Sequence, residues 1–162
     1  MTILPIVKHP SPILAQVSAD VTQWNRELDQ LVQNMFDTMK FAKGVGLAAI
    51  QVGIPLCLFV TDVGKGKERR PLVFINPKIT QRSGEIDSVE GCLSYPGFEG
   101  TVKRSAKVTV EAFDLQRRKF KVKGEELFGR VIQHEYDHLE GIMYLDKVVG
   151  DTLHPMGQSS EM

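Results

Sequence analysis

The chain of 162 residues is 42% hydrophobic, 25% charged and 7% aromatic, which is ordinary globular usage and excludes a disordered or low-complexity chain; at ~100 to 200 residues per domain, it also excludes a multidomain machine. Twenty basic and twenty acidic residues cancel, so no overall field draws a polyanion and no direct nucleic-acid site is expected. Two cysteines, Cys57 and Cys92, do not make a secreted disulfide scaffold, and no apolar run reaches the ~20 residues of a bilayer span, so a cytoplasmic setting without a membrane partner is expected.

From Trp24 to Phe41 the apolar residues Leu28, Leu31, Val32, Met35, Phe36 and Met39 recur at three- and four-residue spacing, which predicts an amphipathic helix stopped by Gly44-Val45-Gly46. Ile54 to Val63, Pro71 to Thr80 and Lys107 to Phe113 read as strands parted by turn residues such as Gly64 and Gly66. The basic clusters from Lys65 to Arg70 and from Arg117 to Lys119 read as solvated turns between them. A second helix is expected from near Gly124 to Gly141, with Glu125 and Glu126 complementing its positive end and Gly141 capping the other. Helix, strands, helix in that order predict an α+β fold with mixed, mainly antiparallel sheets. One domain is expected over residues 1–149, followed by a flexible tail over 150–162 whose Gly150, Pro155, Gly157 and Ser159-Ser160 oppose a further long helix.

The sharpest chemical signal is His134-Glu135-Tyr136-Asp137-His138. Residues four apart stack on one face of a helix, so both imidazoles can reach one metal ion while Glu135 borders the same place. The alternative is a pair of surface histidines without a ligand role; against it, the same face continues through Leu127 and Val131 and should point inward. A catalytic centre ordinarily needs a third protein ligand. A metzincin pattern would require histidine where Tyr144 stands, and a thermolysin-like scheme a later helical glutamate, for which only Glu161 in the tail is available. Cys92 is left, in Glu90-Gly91-Cys92-Leu93-Ser94, which reads as a tight turn, whereas Cys57 in Pro55-Leu56-Cys57-Leu58-Phe59 reads as a small core residue.

Three segments together resemble the peptide deformylase family, in that family's order: Gly44-Val45-Gly46-Leu47-Ala48-Ala49-Ile50-Gln51, Glu90-Gly91-Cys92-Leu93-Ser94, and Gln133 through His138 to Gly141. The resemblance spans about residues 3 to 149. It implies a central metal-binding helix with an amino-terminal helix before it, and removal of the formyl group from formyl-methionine on newly synthesised polypeptides. It further implies one divalent metal ion held by Cys92, His134 and His138, natively Fe(2+), with Zn, Ni or Co as other occupants. Glu135 would move the proton, and the Gln51 side-chain amide with the Leu93 backbone N–H would stabilise the oxyanion. Gly44, Val45, Gly46, Leu127, Arg130 and Val131 would border the substrate, which the family binds as an added β-strand.

The implied partners are formyl-methionyl nascent chains and the ribosome near its exit tunnel, met by a monomer. Two features depart from the family: Ile50 stands where proline is usual, and Arg130 where the methionine pocket usually carries an apolar residue. Two rival classes share parts of the pattern. A metal-dependent endopeptidase would tolerate Cys92→Ser, and a non-catalytic metal-binding relative would have no need of Glu135 and Gln51.

Overall fold

The first helix, α1 (Arg26–Phe41), begins two residues later than its apolar spacing predicts, because Asn25 caps it: the Asn25 side chain accepts from the Leu28 N–H at 3.0 Å. Trp24 is thereby left outside the helix, where its indole Nε1 donates to the Asp114 carbonyl at 2.9 Å and the Arg117 guanidinium lies 4.9 Å from its ring centre. The computed structural model describes residues 1–64 and 66–157; Lys65 of the first basic cluster, and Ser159, Ser160 and Glu161 of the tail, lie outside the described residues. The glycines do not make the turn that ends α1. Lys43 takes the left-handed conformation (φ 62°), and Gly44 N–H donates to the Met39 carbonyl at 2.9 Å.

Five antiparallel strands form one sheet in the order β1 (Gly46–Ala48), β2 (Leu58–Val63), β3 (Arg70–Ser83), β6 (Lys107–Phe113) and β7 (Lys119–Glu125). Strand β2 shows why its sequence does not alternate. Leu58 and Val60 pack in one core cluster with Leu28, Val32, Met35 and Met39 of α1, while Phe59 packs in another with Phe74, Val110 and Ile132. Both faces of the strand are covered, so both are apolar. The second cluster belongs to the second helix, α2 (Glu126–Leu139), which packs on β1, β2 and β7. Chain order therefore puts one helix on each face of the sheet.

A smaller antiparallel sheet holds β4 (Ile86–Cys92), β5 (Tyr95–Arg104) and β8 (His154–Pro155). Strands β4, β5 and β7 are not legible in the sequence, because their half-exposed patterns carry too few apolar residues to stand out. Strand β2 starts four residues later than expected: Ile54 and Leu56 are apolar because they pack against the α1 cluster, not because they are in a strand. Of the tail expected from residue 150 onward, residues 150–157 are described. Its β8 pairs with β5, Met156 N–H donates to the Gly97 carbonyl at 3.0 Å, and His154 Nε2 lies 3.3 Å from Glu99. Among the described residues no helix is long and apolar enough to cross a membrane.

Strand β7 runs into α2 without a loop, which requires close backbone approach. A Cβ on Gly129 would sit 2.8 Å from the Gly124 carbonyl oxygen, and Glu126 opens the helix at φ 55°. The expected C-terminal end at Gly141 lies two residues past the helix; Gly141 makes the left-handed turn there (φ 75°).

Candidate active site

His134 and His138 lie one turn apart on α2, both buried, with ring centres 5.2 Å apart. Cys92 reaches them from the small sheet, where its pairing with Tyr95 closes a two-residue hairpin over Leu93-Ser94; of the five residues expected to form a tight turn, Glu90, Gly91 and Cys92 instead end β4. The Cys92 sulfur is 3.4 Å from His138 Nε2, and one ligand atom from each of Cys92, His134 and His138 lies within 4.8 Å of the others. Cys57 is half-buried elsewhere, and burial, with Asp20 and Glu140 adding to it, pushes its thiol up to about 11. A thiolate with two imidazoles is a donor set for zinc, iron, cobalt or nickel. Among the described residues His134 Nε2 is buried without any hydrogen-bond partner, an orphaned acceptor that a cation would satisfy. The residues present fit a divalent ion.

The His134 ring is held from behind. Its Nδ1 lies 2.9 Å from Glu90 Oε1, and Glu90 receives a two-pronged bond from Arg104, Nε to Oε2 at 2.8 Å and Nη2 to Oε1 at 2.7 Å. Burial alone would raise the Glu90 carboxyl, but the bonds from Arg104 and His134 outweigh it and hold it at about 2. A carboxylate only accepts, so Nδ1 carries the ring proton and Nε2 presents its lone pair on the Cys92 side. Glu90 and Arg104 are site residues that the sequence does not mark. Glu90 lies in the Glu90-Gly91-Cys92-Leu93-Ser94 segment, yet nothing local says that it pairs with residues 14 and 44 positions away.

Glu135 is fully buried, and neither carboxylate oxygen has a hydrogen-bond partner among the described residues. Oε2 is 3.9 Å from His134 Nε2, and burial pushes the carboxyl up to about 7. Gln51, on a 3-10 turn over Ala49–Val52, is also fully buried. Its Oε1 accepts from the Ala48 N–H at 2.9 Å, and its Nε2 faces the Ser94 hydroxyl at 3.1 Å and the Cys92 sulfur at 3.5 Å. The first ten residues tie the two loops together: Val7 N–H donates to the Gln51 carbonyl and His9 N–H to the Ser94 carbonyl, each at 2.7 Å.

The glycines of the first motif give room to protein groups. A Cβ on Gly46 would lie 2.7 Å from Glu135 Oε2 and 2.9 Å from Val131 Cγ1, and one on Gly44 would lie 2.7 Å from Leu93 Cδ1. Val45 is half-buried beside them and its carbonyl accepts from Asp62 N–H at 2.9 Å. Of the helix face expected to point inward, Val131 is fully buried but Leu127 is 39% exposed. Leu127 belongs to the first turn of α2, at its junction with β7. Arg130 is half-buried and turns back along the helix, Nε to the Glu126 carbonyl at 3.3 Å. A separate cleft of about 450 Å³, lined by Val21, Leu28, Leu31, Ile54 and Leu56, shares no residue with this cluster.

Residues 3–153 match the polypeptide deformylase family. A peptide deformylase of Rhizobium meliloti is 46% identical over 151 residues, covering 91% of this chain and 86% of that one. The crystal structure of a peptide deformylase from Legionella pneumophila superposes with a TM-score of 0.88 at 40% identity, over 91% of this chain and 87% of the other. That of the Thermotoga maritima peptide deformylase gives 0.87 at 33% identity, over 93% and 100%. Sequence, fold and side-chain cluster therefore agree: the chain belongs to the polypeptide deformylase family, the hydrolases that remove N-terminal formyl groups from nascent peptides.

Proposed function

We propose that this deformylase works with one divalent ion held by Cys92, His134 and His138, natively Fe(2+), with Zn, Ni or Co able to replace it. The observation that carries the reading is the convergence of those three donors within 4.8 Å, with the unpartnered Glu135 carboxylate beside them. When bound, the ion supplies Lewis acidity towards water and towards the formyl oxygen. Glu135 accepts a proton at a carboxylate oxygen and returns it to the leaving amine nitrogen. The Gln51 side-chain amide and the Leu93 backbone N–H donate to the developing oxyanion; the bonds from Ala48 and to Ser94 hold the Gln51 amide in its orientation beforehand.

Strands β1 and β4 are edge strands of their two sheets, and the contact between Gly44 and Leu93 brings them near one another. An edge strand offers unpaired backbone groups, which supports binding of the substrate as an added strand along Gly44, Val45 and Gly46. Val131 and Leu127 border the methionine side chain, with Arg130 at the pocket mouth. Residues 1–149 form the single catalytic domain on its central metal-binding helix, acting as a cytoplasmic monomer on formyl-methionyl chains near the ribosomal exit tunnel.

Hydrolysis of formyl-Met-Ala-Ser, read together with metal content, tests the assignment. The wild-type protein should release formate, and Cys92→Ser should lose metal and activity together. A Cys92→Ser variant that keeps both would remove Cys92 from the ligand set and favour the endopeptidase class. Arg130→Leu should keep its metal and change KM more than kcat on formyl-Met and formyl-norleucine peptides, because a contact made equally in ground and transition states acts on binding alone. Unchanged constants for both peptides would exclude Arg130 from the substrate site.

A further inference from the structure

The charges behind His134 do not stop at Arg104. The Nη1 of Arg104 that Glu90 leaves free donates to Asp137 Oδ2 at 2.6 Å, and the same oxygen receives Lys147 Nζ at 3.0 Å. From the surface inward the order is Lys147, Asp137, Arg104, Glu90, His134, with charges alternating in sign up to the ring. Only Lys147 is appreciably exposed, 42% of its side chain; those of Asp137, Arg104 and Glu90 are 8%, 3% and 0% exposed. The line joins four parts of the chain: the segment after α2, α2 itself, β5 and β4.

A structural strut would need no more than paired charges. This line ends on a shared atom: Glu90 Oε1 accepts both from Arg104 Nη2 at 2.7 Å and from His134 Nδ1 at 2.9 Å. The more strongly Arg104 draws on that oxygen, the less it offers the imidazole. Asp137 draws Arg104 the other way, and Lys147 offsets Asp137. We propose that Asp137 and Lys147 are positioning residues that set the site's affinity for its divalent ion, acting on His134 through Arg104 and Glu90. The proposal rests on the ligand assignment above.

Its signature is a change of sign along the line. Loss of the Asp137 charge leaves Arg104 bearing on Glu90 alone, which weakens the Nδ1 bond and places surplus positive charge near the cation. Loss of the Lys147 charge does the reverse, by a smaller amount because that end is in contact with solvent. A strut predicts instead that each loss loosens the fold and weakens binding alike.

Cobalt(II) titration of the metal-free protein against a competing chelator, followed by thiolate-to-cobalt absorption, reads the affinity directly. Asp137→Asn should bind about 10- to 100-fold more weakly than wild type. Lys147→Met should bind about threefold more tightly, and Lys147→Arg should match wild type. KM for formyl-Met-Ala-Ser should be unchanged in all three once loaded. Wild-type affinity in Asp137→Asn overturns the proposal, as does unchanged or weaker affinity in Lys147→Met. The lysine variants change a surface group and keep the test decisive should Asp137→Asn fail to fold. Cys92→Ala serves as the control: if it binds cobalt as wild type does, the ligand assignment fails as well, whereas failure confined to the Asp137 and Lys147 variants removes this proposal alone.

Discussion

Glu135→Gln should keep its full complement of metal and lose about 10²- to 10⁴-fold in kcat, the range for removal of a positioned general acid–base. Glutamine has nearly the shape of glutamate, so the core around Val131 and Gly46 need not move, but an amide cannot take a proton. Glu135 is suited to that task by its surroundings. It is fully buried with both oxygens unpartnered among the described residues, and burial pushes its carboxyl up to about 7, where a group both accepts and releases protons near neutrality. An uncompensated buried carboxylate would be a liability in a merely structural residue. Turnover and metal content measured on one preparation decide the point: wild-type kcat in a fully loaded Glu135→Gln protein would end its assignment as the proton carrier.

Gly46→Ala should lower kcat/KM about 100-fold with metal content intact, although it adds one methyl group. That methyl would sit 2.7 Å from Glu135 Oε2, 2.9 Å from Glu135 Cγ and 2.9 Å from Val131 Cγ1. The strand cannot yield, since Gly46 is paired with Thr61 of β2 and Leu47 and Ala48 beside it are fully buried. The glutamate must therefore move, and a displacement of about 1 Å in a reacting group costs on the order of 100-fold in rate. Overpacking also costs about 1–3 kcal/mol of stability, or a few degrees in Tm for a chain of this length. Gly44→Ala makes the internal comparison. Its methyl would meet the Leu93 side chain near its flexible end, at 2.7 Å from Cδ1, so its rate loss should be the smaller. Equal kcat/KM in Gly46→Ala and wild type would show that Glu135 has freedom the packing denies it.

Features set by local physics are legible in the residues alone. Four-residue spacing on a helix places His134 and His138 on one face in any fold, and the α1 pattern from Leu28 to Met39 is a one-sided helix wherever it packs. A turn beside Cys92 is legible too, but only Leu93-Ser94 of the expected five residues make it. What the chain order hid was the work of individual residues within those elements. Gly44 and Gly46 read as a helix stop, but Lys43 makes the turn and the glycines make room for Leu93 and Glu135. Leu127 shares the helical face of Val131, yet lies exposed because the first turn of α2 stands at the junction with β7.

Sequence by itself determined the two helices, the α+β class, the pair of histidines with their glutamate, and the membership that three ordered motifs imply. Tertiary structure alone decided which sheet brings Cys92 to the helix, which strands β1, β4, β5 and β7 become, and how the His134 ring is held. Glu90, Arg104, Asp137 and Lys147 stand on four separate stretches of chain, and each alone reads as an ordinary surface charge. Burial removes Glu90, Arg104 and Asp137 from water, and a charge in a poorly solvating interior must be paired. That requirement links them in one line to His134, and spacing along the chain carries no trace of it because only folding makes them neighbours.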